Sequence, residues 1–219
     1  MVVVPRPAST VVLLDDQSRV YLTQRPQTMK FLGGFYVFPG GAVDKDDEIS
    51  ESPHILNLSE EDVEVNVSFY VAAARELFEE VGILLAENRD GEMALEPKKI
   101  QAYREQIIAG KMSFIELLQT ENLYFNVKKL TYFGSFVTPK GNRYRYDTSF
   151  FLARLPKGQQ PSPDEYEIEN AFWITPEEAL NEYEKGRLPM ITPTILSLRT
   201  VMNYQKKGQP LRLPTQLSL

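Results

Sequence analysis

The strongest helical signal in the chain runs from Val67 to Val81, and it restricts the fold more than any other feature. Gly82 follows it, a residue able to take the left-handed conformation that ends a helix. On a wheel turning about 100° per residue, Ala74, Leu77, Phe78 and Val81 fall on one side. Glu76, Glu79 and Glu80 crowd the opposite side within an arc of roughly 100°. Three carboxylates so close repel one another, at a cost of roughly a few tenths of a kcal/mol per pair. A hard divalent cation would relieve that repulsion, because such ions bind carboxylate oxygens while keeping places for water and phosphate oxygens. Arg75, four residues before Glu79, can hydrogen-bond Glu79 or an acid of the preceding loop and so hold the carboxylates in place. Taken alone, three acids also describe an ordinary solvated helix face. The surrounding pattern decides between the two.

Arg75-Glu76-Leu77-Phe78-Glu79-Glu80-Val81-Gly82-Ile83 resembles the second half of the Nudix box, G-x5-E-x7-R-E-U-x-E-E-x-G-U with U aliphatic, at every specified position. Upstream, Phe38-Pro39-Gly40-Gly41 resembles the stretch that introduces the box, and after five intervening residues Gly41 is followed by Asp47 where the box has Glu. Twenty-seven residues then separate Asp47 from Arg75 where the box has seven. A surface loop absorbs an insertion of about twenty residues cheaply, because closure entropy grows only logarithmically with length. The resemblance implies an α/β/α sandwich: a mixed β-sheet between helices, with a loop-helix-loop carrying the box. It implies Glu76, Glu79 and Glu80 as ligands of Mg2+ or Mn2+, with the backbone carbonyl of Gly40 as a further one. Glu80 is the first candidate for activating water. Glu167, on an expected strand from Tyr166 to Trp173, is the second. The glycine pair lets the backbone approach metal and phosphate closely.

A second resemblance is narrower. Leu22-Thr23-Gln24-Arg25-Pro26, Lys30, Gly34 and Phe38-Pro39-Gly40-Gly41 keep the spacing of the signature of the coenzyme A diphosphatase branch, with Pro26 in place of Ser or Ala and Lys30 in place of Arg. Asp147-Thr148-Ser149-Phe150-Phe151, Trp173-Ile174-Thr175-Pro176 and Pro193-Thr194 are similar to the acyl-CoA-cleaving subgroup with long insertions. The implied substrate is a nucleotide diphosphate derivative of CoA type, cleaved to 3′,5′-ADP and (acyl) phosphopantetheine. Arg25, Lys30, Arg143 and Arg145, near expected strand ends or turns, supply counter-charge for its phosphates. The alternatives are ADP-ribose, a nucleotide sugar or a dinucleotide as substrate, and a Nudix-like binding module without catalysis. Phe31, Phe35, Tyr36, Tyr144 and Tyr146 divide between core packing and stacking on adenine or lining an acyl channel. Trp173 is assigned to the core, and His54, the only histidine, to the surface.

The net charge of −6 argues against wrapping nucleic acid, which needs a basic surface. No apolar run approaches the ~20 residues that span a bilayer. The sequence has no cysteine, which excludes thiolate ligands and Cys nucleophiles. Met1-Val2-Val3-Val4-Pro5 does not read as a signal peptide, nor Leu217-Ser218-Leu219 as an address, so a cytoplasmic location is expected. Residues 1–208 read as one domain, with an irregular acidic surface insertion over about 44–66, a helical insertion over about 97–121 and an irregular tail over 209–219. Ser9–Leu14 and Arg19–Thr23 read as a hairpin. Helices are expected to start near Pro97, Ser113, Thr175 and Thr192. Oligomeric state is left open, a homodimer included.

Overall fold

The computed structural model describes residues 3–49, 52–59, 61–92 and 95–214; Met1, Val2, Glu51 and the Leu217–Leu219 tripeptide lie outside the described residues. In chain order the elements are β1 (Arg6–Leu14), β2 (Val20–Gln24), β3 (Tyr36–Val37), β4 (Gly40–Ala42), β5 (Ile55–Leu56), α1 (Val67–Val81), β6 (Ala86–Glu87), α2 (Pro97–Ile108), α3 (Phe114–Thr120), β7 (Tyr124–Asn126), β8 (Leu130–Val137), β9 (Tyr146–Arg154), β10 (Asn170–Ile174), α4 (Pro176–Glu184) and α5 (Thr192–Lys207).

Successive side chains of a strand point to opposite faces, and β1 uses both. Val11 and Leu13 join a core with α1, α2 and α3; Val12 and Leu14 join another with α4 and α5. A seven-stranded sheet ordered β10-β2-β1-β9-β8 therefore lies between two helical layers, with β3 beside β2 and β4 beside β1. It is mixed: β1 runs parallel to β9 over its whole length and antiparallel to β2 and β4. The expected hairpin is present, its turn closed by Asp15, whose carboxylate accepts the N–H groups of Gln17 and Arg19 at 3.0 and 2.8 Å. No helix among the described residues is long and apolar enough to cross a membrane.

Local chemistry delimits α1. The Asn66 side chain accepts the Ser68 N–H at 2.9 Å, which caps the start. Gly82, at φ 69° and ψ 13°, ends it. Ala72, Ala73 and Ala74 are fully buried, and their short side chains let the helix lie close across β1 and β4. The expected helix starts at Ser113 and Thr175 carry reciprocal capping boxes with Glu116 and Glu178.

Two expectations need correction. Residues 44–66 are not simply an irregular surface loop. Asp44, Asp46 and Glu48 are exposed, but Asp47 is buried and Ile55 enters the core, where β5 pairs in parallel with β7 in a second, three-stranded sheet. The expected strand at Tyr166–Trp173 starts only at Asn170, because the Asp164 carboxylate captures the N–H groups of Tyr166 and Glu167 at 2.9 and 3.2 Å and turns the chain. Residues 209–214 form no helix or strand, yet Leu213 is buried and sits where a Cβ on Gly134 would lie 2.7 Å from it.

Candidate active site

Residues far apart in sequence meet around Arg75. Its Nε and Nη2 donate to the two carboxylate oxygens of Asp47 at 2.9 and 2.8 Å, Nη2 also to the Ala42 carbonyl at 2.8 Å. Nη1 donates to Glu76 and Glu79 at 2.9 and 3.1 Å. Burial works against the guanidinium charge, but Asp47, Glu76 and Glu79 together hold it protonated. The acid standing where the box has Glu thus reaches Arg75 across the twenty-seven residues between them. The 3-10 turn Lys45–Asp47 seats it, closed by a hydrogen bond from the Asp44 N–H to Asp47 at 2.8 Å.

Glu76 and Glu80 of α1 face β4, while Glu79 is held by Arg75. Glu80 is buried and accepts the Gly40 N–H at 3.1 Å. A Cβ on Gly41 would stand 2.4 Å from a Glu76 oxygen, and one on Gly40, at φ 155°, 2.2 Å from the Ser9 carbonyl. Only glycine lets this strand lie flush against the carboxylates while pairing with β1. Burial raises the pKa of all three acids. Glu76 is pushed up to about 8, opposed by Arg75 and reinforced by Glu79. Glu79 is raised, again against Arg75. Glu80 is raised well above the carboxylate range, with the charges of Glu76 and Glu167 adding to burial. Glu167 belongs to the exposed turn after Asp164 rather than to a strand, and the same turn docks on α1 through the Asp164 N–H, 2.8 Å from the Glu80 carbonyl.

This donor set fits a divalent cation of the oxygen-seeking kind. Its atoms are hard carboxylate oxygens, mutually repelling and held at a bare glycine strand. Among the described residues no three acidic or histidine side chains enclose a point by themselves. Mg2+ does not need such a cage, since it takes one or two carboxylates and completes its shell with water and phosphate oxygens, and Mn2+ favours similar ligands.

Beside Gly40 and Gly41 opens a cavity of 690 Å³ between the sheet and the start of α5. Its walls are largely apolar, including Phe38, Phe136, Phe150, Met190 and Ile195. Of the four expected substrate cations, Arg25 lines it, and its charge favours the ionised form of Glu80. Lys30 and Arg143 are exposed and are not in its lining, although their neighbours Phe31 and Asn142 are. Arg145 corrects the expectation: it is buried and donates to the backbone carbonyls of Thr138 and Val3, which commits it to holding the chain. Phe31 and Tyr146 line the cavity in mutual contact, whereas Tyr36 is core. Trp173 is half-buried against Tyr21, and His54 stacks on Tyr124 with Nδ1 2.8 Å from the Leu123 carbonyl.

One residue at this site carries no sequence signal. Arg104 of α2 is buried against the end of α1, its guanidinium on the carbonyls of Glu79 and Glu80. Its spacing matches no cap, box or charge pattern.

Known proteins resemble this chain in sequence and fold. The acyl-coenzyme A diphosphatase NUDT19 of Homo sapiens is 25% identical over 228 residues, covering 85% of this chain and 61% of that one. Its Xenopus laevis counterpart is 23% identical over 227 residues, covering 84% and 60%. The chain therefore spans less than two thirds of the length of these relatives. A NUDIX hydrolase from Alicyclobacillus acidocaldarius, known from its crystal structure, superposes with a TM-score of 0.77 at 27% identity, covering 96% of this chain and 98% of that one. The NUDIX domain family matches residues 4–96, and the NUDT19 Nudix domain family matches residues 57–201. With Glu76 and Glu80 seated against Gly41 and Gly40, Glu79 tied to Arg75 and most of the chain matched, this protein belongs to the Nudix hydrolase family.

Proposed function

We propose that this chain hydrolyses the diphosphate bond of CoA or an acyl-CoA, with Mg2+ or Mn2+, releasing 3′,5′-ADP and (acyl) phosphopantetheine. One observation carries the reading: the largely apolar cavity of 690 Å³ opens directly beside the glycine strand on which Glu76 and Glu80 lie. A ligand reaching into it carries a sizeable apolar or amphipathic arm, as a pantetheine chain does and a second sugar does not. The likeness to the NUDT19 proteins supports the same substrate class.

Glu76, Glu79 and Glu80, with the Gly40 carbonyl, would hold the ion. When bound, it neutralises charge on the phosphoryl oxygens. Arg75 keeps Glu76 and Glu79 aimed at that point, and Arg25 sets a positive charge at the cavity wall near Glu80. Glu80 takes the proton of the attacking water; burial and the charges of Glu76 and Glu167 raise its affinity for that proton above that of an ordinary carboxylate, as base work in the transition state requires. Glu167 is the second carboxylate in range of the same field.

The test is a mass-spectrometric panel of CoA, acyl-CoAs, ADP-ribose, nucleotide sugars and dinucleotides with Mg2+ or Mn2+. CoA-type turnover is expected. Turnover of ADP-ribose without CoA cleavage overturns the substrate, and binding without any turnover overturns catalysis in favour of a binding module.

A further inference from the structure

The last four carbonyls of a helix have no partner within it, and at the end of α1 all four are satisfied. Phe78 accepts from the Gly82 N–H at 2.9 Å and Val81 from the Ser162 N–H at 2.8 Å. Glu80 accepts from the Asp164 N–H at 2.8 Å and from Arg104 Nη2 at 3.3 Å. Among the described residues Glu79 accepts from Arg104 alone, through Nε at 3.2 Å and Nη2 at 2.8 Å. The guanidinium therefore bridges the backbones of the two residues whose carboxylates end the acidic patch. It also stands next to the Asp164 turn, which carries Glu167, and the Asp164 charge offsets part of the cost of burying it. Gly82 leaves it room: a Cβ there would be 3.3 Å from Nη1.

We propose that Arg104, supplied by the inserted helix α2, is a positioning residue that holds Glu79 and Glu80 in register with the Glu167 turn. The inference rests on the reading of the patch as a metal-binding catalytic surface. It gives the helical insertion a task at the reaction centre. A carboxylate set by a backbone tie must stay within about 0.5 Å of its working position, and a helix end that frays lets Glu79 and Glu80 turn away from Glu76.

The experiment compares Arg104→Met, Arg104→Lys, Arg104→Ala and Gln159→Leu with the wild-type chain. Gln159 is a structural control: likewise buried, it clamps the N–H and carbonyl of Leu84, just beyond α1, at 2.9 and 2.8 Å, with its side-chain hydrogen bonds directed there and not to the acids. Mn2+ affinity is read by electron paramagnetic resonance without substrate, alongside kcat, KM and melting temperature. Arg104→Met is expected to weaken Mn2+ binding and lower kcat by about 10- to 100-fold, as loss of an orienting partner does, with KM little changed. Arg104→Lys, which keeps the charge but not the fork, falls between, and covers the case in which Arg104→Met does not fold. Guanidinium added to Arg104→Ala restores part of kcat. Gln159→Leu lowers the melting temperature and leaves Mn2+ affinity as it was. A folded Arg104 variant with wild-type Mn2+ affinity and kcat overturns the inference alone. A wild-type chain that binds no Mn2+ overturns the functional reading and this inference with it.

Discussion

Arg75 holds Asp47 by a two-pronged contact, Nε to Oδ1 at 2.9 Å and Nη2 to Oδ2 at 2.8 Å, although twenty-seven residues lie between them in the chain. Both groups are buried, so neither charge is screened by water. The contact fixes the guanidinium in the one orientation that also serves Glu76, Glu79 and the Ala42 carbonyl.

Asp47→Asn tests that relationship. Removing one charge of a buried pair costs about 3–5 kcal/mol, and the acceptors that remain on Arg75 place this change at the lower end. For a chain of this size about 3 kcal/mol lowers the melting temperature by about 6–12 °C. With Arg75 free to turn, kcat is expected to fall by about 10-fold or more. Thermal denaturation and steady-state kinetics measure both. A variant that melts with the wild type would show that the insertion, not this ion pair, holds the loop.

Glu80→Gln keeps the size of the side chain and its acceptor for the Gly40 N–H, 3.1 Å away, but removes the charge. Turnover is expected to fall by at least ~10²-fold, the usual worth of a general base or an electrostatic partner. The melting temperature should hold or rise, because the charged form of Glu80 is opposed by burial and by Glu76. Near-wild-type turnover would remove Glu80 from the reaction and move the base to Glu167.

Features read from short stretches of sequence and features that were not differ in the range of the forces that make them. The ends of α1, α3 and α4 are set by contacts within three or four residues: Asn66 to Ser68, Ser113 to Glu116, Thr175 to Glu178. Those were legible, as was the acidic face of α1, because helical periodicity sorts Glu76, Glu79 and Glu80 from Leu77 and Phe78. The two-residue strands β5 and β6 were not, since they have no period and exist only because Phe125 lies between Ile55 and Ala86. Glu167 lies in a turn and not in a strand because one side chain, Asp164, outcompetes the strand pattern around it. Arg145 read as a free cation because sequence does not reveal that backbone carbonyls surround it. The same limit hid Arg104.

Gly41→Ala places a methyl where the Glu76 carboxylate already lies, 2.4 Å from its Oε1. Real Cβ atoms do not approach so closely, so Glu76 must swing away or β4 must leave β1. The first is expected, since a side chain moves more easily than a paired strand. Mn2+ affinity should then drop by about 10-fold or more, with a circular dichroism spectrum like that of the wild type. Calorimetric titration of the metal into the protein without substrate measures this, and unchanged affinity would show that Glu76 contributes no ligand.

Stability against pH gives a reading of the acidic patch that needs no substrate. Glu76 titrates near its ordinary value of 4.5 when unfolded and at about 8 when folded, and Glu79 and Glu80 shift in the same direction. Between those values the folded chain binds more protons than the unfolded one. Stability therefore falls as pH rises, being fully present below pH 4.5 and lost as pH passes about 8. Glu116, Glu178 and Glu182, whose pKa values are lowered by hydrogen bonds, give the opposite slope only in the acid range, below 4.5. From pH 5.5 upward the acidic patch dominates, so the metal-free protein is expected to melt at progressively lower temperature up to about pH 8. Mg2+ or Mn2+ binds the ionised carboxylates and not the protonated ones, and it adds more stability as pH rises. Scanning calorimetry with chelator and with excess metal would give curves that diverge with increasing pH. Parallel curves would mean that the ion binds elsewhere than at Glu76, Glu79 and Glu80.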